Sequence, residues 1–247
     1  MNGKTAIVTG SSHDIGAATA KLLGERGANV VVNYYSSPDA AEKVVEYIEN
    51  NGGRAIAVKA DARDKEDLAQ LAQKAKETFG SIDIFVHNAG MKFPMKSFED
   101  MEWDEFIHKT DDELQAAFFG TKAVIPYMKE QKYGKLVYIS SGLSKRAAPN
   151  FLAHGVSKSS LNAFVKYVAD EFADQGITAN TVAPGMVETN ATSGMPQEYK
   201  DKQASFVPMK RIAQPEDVAK AVAFFASNDS DYITGSYMPV SGGSEMI

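Results

Sequence analysis

Short apolar runs rich in β-branched residues recur along the chain, at Thr5–Thr9, Asn29–Val32, Ala55–Val58, Ile82–Val86, Leu136–Ile139 and Ile177–Val182. Unbroken runs of this length suit strands covered on both faces of a parallel sheet. Between them lie segments with helical spacing, at Ile15–Gly24, Asp39–Asn51, Lys65–Phe79, Asp112–Glu130 and Val156–Phe172. Gly27, Gly52 and Gly80 follow three of these segments, where a left-handed residue closes a helix. Strand and helix in steady alternation predict an α/β fold: a Rossmann-like, doubly wound parallel sheet of about seven strands, with right-handed crossovers and helices on both faces. No Pro/Gly/Ser linker, low-complexity tract or short-period repeat interrupts the pattern, so residues 1–247 read as a single domain.

Composition narrows the chemistry. The 247 residues carry 26 Lys+Arg against 32 Asp+Glu, a formal charge of −6, and no Lys/Arg run stands out, which argues against a nucleic-acid partner. The absence of cysteine excludes a disulfide framework, a thiolate zinc site and a cysteine nucleophile, and fits a reducing compartment. Four scattered histidines without His-x-x-x-His or paired-carboxylate spacing point away from a metal site. No apolar run approaches the ~18 residues a membrane span needs. Met1–Gly10 has no leader-length apolar core, so the expectation is a cytoplasmic protein with no membrane partner.

The first chemical motif is Thr9-Gly10-Ser11-Ser12-His13-Asp14-Ile15-Gly16, directly after a strand and opening a helix. A tight glycine turn at a helix N-terminus presents backbone N–H groups and a positive dipole end to a phosphate. A dinucleotide site that prefers NAD places Asp or Glu at the end of the second strand. Here that strand runs into Asn33-Tyr34-Tyr35-Ser36-Ser37, with no acid to repel a 2′-phosphate and neutral donors on Asn33, Ser36 and Ser37 to bond one. NADP(H) is therefore favoured over NAD(H), although no Arg stands in that stretch and Asp14 adds negative charge to the phosphate turn.

These motifs, in this order, resemble the short-chain dehydrogenase/reductase family in its single-domain branch, closest in pattern to the 3-oxoacyl-carrier-protein reductases. The family's Thr-Gly-x-x-x-Gly-Ile-Gly appears with Asp14 in place of the middle glycine. His87-Asn88-Ala89-Gly90 stands for Asn-Asn-Ala-Gly, and Asp61-Ala62 matches the pair that reaches the adenine. Pro184, Gly185, Val187 and Thr189 lie in the segment that flanks the nicotinamide. Asn33-Tyr34-Tyr35-Ser36-Ser37 is similar to a segment of the NADP-linked members, whose position 13, often Arg, is His13 here. The resemblance implies that Gly10, Ser12, His13, Asp14, Ile15, Gly16, Asn33, Tyr34, Ser36, Asp61, Ala62, Asn88, Ala89, Gly90, Lys158, Pro184, Gly185, Val187 and Thr189 bind the cofactor.

The same resemblance implies an Asn-Ser-Tyr-Lys catalytic set, and two of its four positions have changed. Ser141 and Lys158 fill their slots, but the Tyr slot holds His154, 13 residues after Ser141 and four before Lys158. Spacing i, i+4 puts His154 and Lys158 on one helix face. Counting back from Ala123–Met128 puts Glu113 in the Asn slot, and about three extra residues precede it. Glu113 would hold the water of the family's proton relay, or pair with Lys158. Imidazole is a competent general acid. The expectation is an NADPH-linked reductase of a carbonyl on an apolar small molecule, with His154 as variant proton donor and Ser141 on the carbonyl oxygen. Reduction should then quicken as pH falls through the His154 pKa, which Lys158 pushes down and Glu113 pushes up. Two alternatives are an inactive NADP(H)-binding regulatory or scaffold protein and a reductase of conjugated C=C bonds.

Residues about 190–210 read as a mobile substrate lid, with Met195, Tyr199, Phe206 and Met209 as its apolar contributions and Met91, Phe93, Pro94 and Met95 opposite. His87 reads as a strand-end packing residue, and His108 as solvent-facing. Relatives of this size form tetramers or dimers through two long helices. Ala116, Ala117, Phe118, Phe119, Phe164, Val168 and Phe172 give those helices apolar surface for a homo-oligomer.

Overall fold

The computed structural model describes residues 1–246. Strands and helices alternate as β1 (Thr5–Val8), α1 (Asp14–Glu25), β2 (Asn29–Tyr34), α2 (Pro38–Asn50), β3 (Arg54–Lys59), α3 (Lys65–Phe79), β4 (Ile84–His87), α4 (Trp103–Gln131), β5 (Gly134–Ile139), α5 (Leu152–Phe172), β6 (Ile177–Pro184), α6 (Asn190–Ser193), α7 (Gln197–Phe206), α8 (Pro215–Phe225) and β7 (Tyr237–Val240). All seven strands join one sheet in the order β3-β2-β1-β4-β5-β6-β7. Every pairing is parallel: Ala6, for example, is in register with Val30 on one side and Ile84 on the other. The direction of winding reverses between β1 and β4, and the crevice beyond the carboxyl ends of these two strands is where such sheets bind ligands.

Alternation along the buried strands splits the core into two layers. Ala6 and Val8 pack on one face with Leu23, Ile48 and Phe225, from α1, α2 and α8. Ile7 points the other way, to Leu71, Met128 and Leu161 of α3, α4 and α5. Gly27, Gly52 and Gly80 adopt φ of +86°, +81° and +86°, as the helix stops require.

Two expectations need correction, the start of α4 and the apolar surface of the long helices. Helix α4 begins at Trp103, nine residues before the expected Asp112, because a reciprocal cap between Glu102 and Glu105 starts a helix in an acid-rich stretch that masks its apolar spacing. The segment after Thr189, read as a lid, folds into α6 and α7, with Lys200 of α7 buried against Glu188. Ala116, Ala117 and Val168 are buried within the subunit, and Phe119, Phe164 and Phe172 pack partly on the same core, so of that set Phe118 alone is exposed, at 47%. Tyr167 of α5 is also largely exposed. Among the described residues no helix is long and apolar enough to cross a membrane.

Candidate active site

The turn after β1 is built by a small set of hydrogen bonds. Thr9 Oγ1 accepts from the backbone N–H groups of Asn88 and Ala89 at 3.0 and 3.1 Å, locking the ends of β1 and β4 together. Asn88 Nδ2 returns two bonds, to the Thr9 and Gly10 carbonyls, both at 3.0 Å. Gly10 turns with φ +61°, and a Cβ there would stand 2.8 Å from Ala89 Cα. A Cβ on Gly16 would run into the Gly10 carbonyl. Over Gly90 the space is empty: an added Cβ would meet no atom within 4 Å. The crevice thus has a floor of bare backbone and the N-terminus of α1 at one end, with Ser12 and Ile15 half-buried and His13 exposed beside it. A dinucleotide fits this cradle.

Asp14 does what glycine does in the motif, by adopting the left-handed conformation itself, with φ +52°. Asp is among the few residues that visit this region. Its Oδ1 accepts the N–H of Asn190 at 3.0 Å, so the turn is tied to the first residue of α6.

Asn33 requires a correction. It is 2% exposed, its Oδ1 accepts from Gly10 N at 3.0 Å, and its Nδ2 donates to the Ala60 carbonyl at 3.0 Å and the Val58 carbonyl at 3.3 Å. The amide is a brace under the turn, with no donor left for a 2′-phosphate. Tyr34 is half-buried and Ser36 exposed, at the start of α2. Asp61 is gripped by Arg63, whose Nη2 lies 2.7 Å away, and the Arg63 hydrogen bonds lower its pKa, while Ala62 is buried. Pro184 ends β6, Gly185 N donates to the Val240 carbonyl at 3.0 Å, Val187 is buried, and Thr189 N donates to Thr192 Oγ1 at 2.9 Å.

The structure brings Glu113 and Lys158 together, as the backward count requires. Lys158 Nζ donates to Glu113 Oε1 at 2.6 Å and to the Ile139 carbonyl at 2.8 Å. The second bond ties α5 to the end of β5, two residues before Ser141. Gly155 rests on the same turn, since a Cβ there would be 3.0 Å from the Leu143 carbonyl. Ser141 Oγ accepts from Leu143 N at 3.2 Å, which caps the short turn and fixes the hydroxyl's direction.

Two residues that sequence reasoning left out complete the cluster. Lys109 Nζ donates to the other carboxylate oxygen of Glu113 at 2.6 Å and to the Met91 carbonyl at 3.1 Å. His87, expected only to pack, stands with Nε2 3.4 Å from Glu113 Oε1. The signal for Lys109 was its i, i+4 spacing to Glu113, which shows only once both positions lie on a continuous helix. Glu113 is 0% exposed and Lys109 2%. Burial raises the Glu113 pKa, but Lys158, then His87 and Lys109, outweigh it and hold the carboxyl well below its ordinary range. Burial lowers both His87 and Lys109.

His154 stands apart from this salt network. Its ring stacks on Phe93 with centroids 4.4 Å apart and planes at 24°, and its Nδ1 is buried with no hydrogen-bond partner. Burial, then the charges of Lys158 and Lys109, push its pKa down to about 3, against a smaller opposing pull from Glu113. The ring is a neutral imidazole at physiological pH. Any quickening of the reaction with His154 protonation therefore falls far below the range the sequence suggested. Phe93 also faces Phe151, with centroids 6.0 Å apart, while Tyr199, Phe206 and Met209 of the lid region are exposed. His108 is exposed, as expected.

Taken together, the parallel sheet, the glycine turn at its switch point and the lysine held on α5 define a Rossmann-like nucleotide-binding protein. The sequence signature of a family described as Enoyl-(Acyl carrier protein) reductase matches residues 10–245. Glucose 1-dehydrogenase 2 of Bacillus subtilis (strain 168) is 36% identical over 245 residues, covering 98% of this chain and 95% of its own. The 3-oxoacyl-[acyl-carrier-protein] reductase FabG of Staphylococcus epidermidis is 34% identical, with 98% and 99% covered. Versicolorin reductase stcU of Emericella nidulans is 35% identical over 256 residues, with 98% and 96% covered. A crystal structure of a dehydrogenase/reductase from Sinorhizobium meliloti 1021 superposes with a TM-score of 0.91 at 30% identity, covering 100% of this chain and 96% of that one. The chain belongs to the short-chain dehydrogenase/reductase family, whose members are oxidoreductases that use nicotinamide cofactors.

Proposed function

We propose that this protein is an NADPH-linked reductase of a carbonyl group on an apolar small molecule. The observation that carries the reading is Lys158, buried at the carboxyl edge of the sheet and held by Glu113 and the Ile139 carbonyl beside Ser141. A cofactor seated over Gly90 would supply the hydride. Gly10, Ser12, His13, Ile15 and Gly16 would hold its phosphates, Asn88, Ala89 and Gly90 its floor side, Asp61 and Ala62 its adenine, and Pro184, Gly185, Val187 and Thr189 its nicotinamide end. With no carboxylate among Asn33–Ser37, and with Ser36 and Ser37 at the N-terminus of α2, a 2′-phosphate meets donors and a positive dipole end.

The substrate oxygen gains negative charge as a hydride arrives on carbon. Ser141 Oγ–H and the neutral His154 N–H are its hydrogen-bond donors, and the proton that completes the alcohol comes from solvent water through the Ser141 hydroxyl, which is reprotonated in turn. A neutral imidazole can polarise a carbonyl by hydrogen bonding without first being charged. The positive charge around buried Lys158 stabilises the developing oxyanion. Residues about 190–210 close over this site as a lid, and Tyr167 and Phe118 mark a helix face suited to a second copy of the chain.

The neutral state of His154 also supports a second reading, reduction of a conjugated C=C bond. There the oxygen needs only hydrogen bonds while the proton goes to carbon, so no imidazolium is required. Consumption of NADPH and NADH against matched ketones and enones tests both readings. Ketone turnover with NADPH supports the first, and turnover of enones alone supports the second. Cofactor binding with no turnover across the panel would make the protein a nucleotide-binding module instead.

A further inference from the structure

We propose that Lys109 is a positioning residue of this site, acting with Glu113 as a charge-compensated pair in place of a single neutral side chain. The inference rests on the reductase reading, because it gives Lys158 a cationic role. A lone carboxylate 2.6 Å from Lys158 would cancel much of that cation's field on the reacting oxygen. Lys109 prevents this. Its ammonium sits 2.6 Å from the second oxygen of Glu113, so the triad of two lysines and one carboxylate keeps a net charge of +1. A lysine beside a neutral amide would carry that same charge.

The geometry also fixes where Glu113 points. With Lys158 on Oε1 and Lys109 on Oε2, both carboxylate oxygens are engaged by an ammonium. Lys109 is in turn anchored to the Met91 carbonyl, on the loop that carries Phe93, and its Nζ lies 5.9 Å from the Phe93 ring centroid. The groups facing Glu113 are Lys109 from its own helix, Lys158 from α5 and His87 from β4. His154 on α5 feels all three charges of the triad, and Tyr138 on β5 backs His87 with ring centroids 6.0 Å apart. Each contact is nearly closed to solvent, so the charges act on one another with little screening.

A double-mutant cycle tests the pairing with Lys109→Met, Glu113→Asn and the double variant. NADPH affinity by calorimetry and the His154 ring titration by NMR require no substrate, and kcat and KM are read on whichever substrate turns over. In Lys109→Met the proposal expects the His154 titration to move up by about one pH unit, with kcat down about tenfold and KM little changed. Glu113→Asn alone leaves two facing ammonium groups and should fall similarly. The double variant should recover kcat to within about threefold of wild type, and it leaves Lys158 as the cluster's single buried ammonium, beside an amide and the Ile139 carbonyl, rather than two facing ones. A Lys109→Met protein with lowered Tm but unmoved His154 titration would overturn the proposal. So would a double variant as impaired as the sum of its parts. Failure of NADPH to bind the wild type would instead defeat the reductase reading on which the inference rests.

Discussion

The Asp14 carboxylate accepts a hydrogen bond from the Asn190 backbone at 3.0 Å, across 176 positions of sequence, and so fastens the phosphate turn to the segment after β6. Asp14 holds φ +52° to do so, a conformation that costs an L-residue about 1–2 kcal/mol and glycine far less. Replacing Asp14→Gly should relax the turn, remove a negative charge from beside the cofactor phosphates and free the Asn190 N–H. NADPH affinity is expected to rise roughly tenfold at low ionic strength and less at high salt. Calorimetry at two salt concentrations checks this, and equal or weaker binding would count against a repulsive Asp14.

His154 should leave its mark on stability rather than on the pH profile of the reaction. Its folded-state pKa of about 3 lies below the ~6.5 of a free imidazole, so the unfolded chain binds a proton that the folded chain refuses. The contribution is therefore complete above neutral pH and is lost as pH falls through 6.5 towards 3. It amounts to about 2 kcal/mol by pH 5. Buried His87, whose pKa is also lowered, adds in the same direction. Thermal melts of wild type and His154→Phe should diverge between pH 7 and pH 5, with the variant losing less. Parallel curves would contradict a buried neutral ring.

Asn33 gives a prediction opposite to the usual expectation for a strand-end carboxylate. Its amide donates to the carbonyls of Ala60 and Val58, so Asn33→Asp would set a charged oxygen against acceptors in a buried position. A loss of about 1–3 kcal/mol in stability follows, with weakened binding of both NADPH and NADH. A stable variant that simply prefers NADH would show that Asn33 faces the ribose after all.

Removing Glu113 strands two buried ammonium groups. The cost of breaking such a cluster is about 3–5 kcal/mol, and Glu113→Ala should lower Tm by about 10 °C in a chain of this size. Differential scanning calorimetry reads this directly. A drop of only a degree or two would mean that the lysines find solvent, or lose their protons, at little cost.

Much of the fold was legible because it rests on local signals: β-branched runs for six strands and glycine stops after three helices. Strand β7 escaped because its residues are only half-buried at a sheet edge and include Pro239, so they lack the apolar signature. The start of α4 was hidden by its acidic first turns. Within the site, the slots of Ser141, His154, Lys158 and Glu113 could be placed only by laying their spacing against the pattern of the resembled family. Their electrostatics could not. Lys109 and Glu113 are neighbours only on a helix that extends past Asp112, and the isolation of His154 depends on Phe93, which lies 61 positions earlier in the chain. Asn33 shows the same limit, since sequence gives a donor's identity but not whether the fold has already used it.

The central claim is that the site transfers a hydride from a nicotinamide cofactor with the neutral His154 N–H as a hydrogen-bond donor to the substrate oxygen. Its most direct test is transfer of deuterium from C4-labelled NADPH to ketone and enone substrates, read by mass spectrometry in wild type and His154→Ala side by side. The account predicts labelled product from the wild type and a rate lowered by roughly a hundredfold in the variant. Cofactor that binds yet never passes its label, even after His154→Tyr with Glu113→Asn, would contradict it.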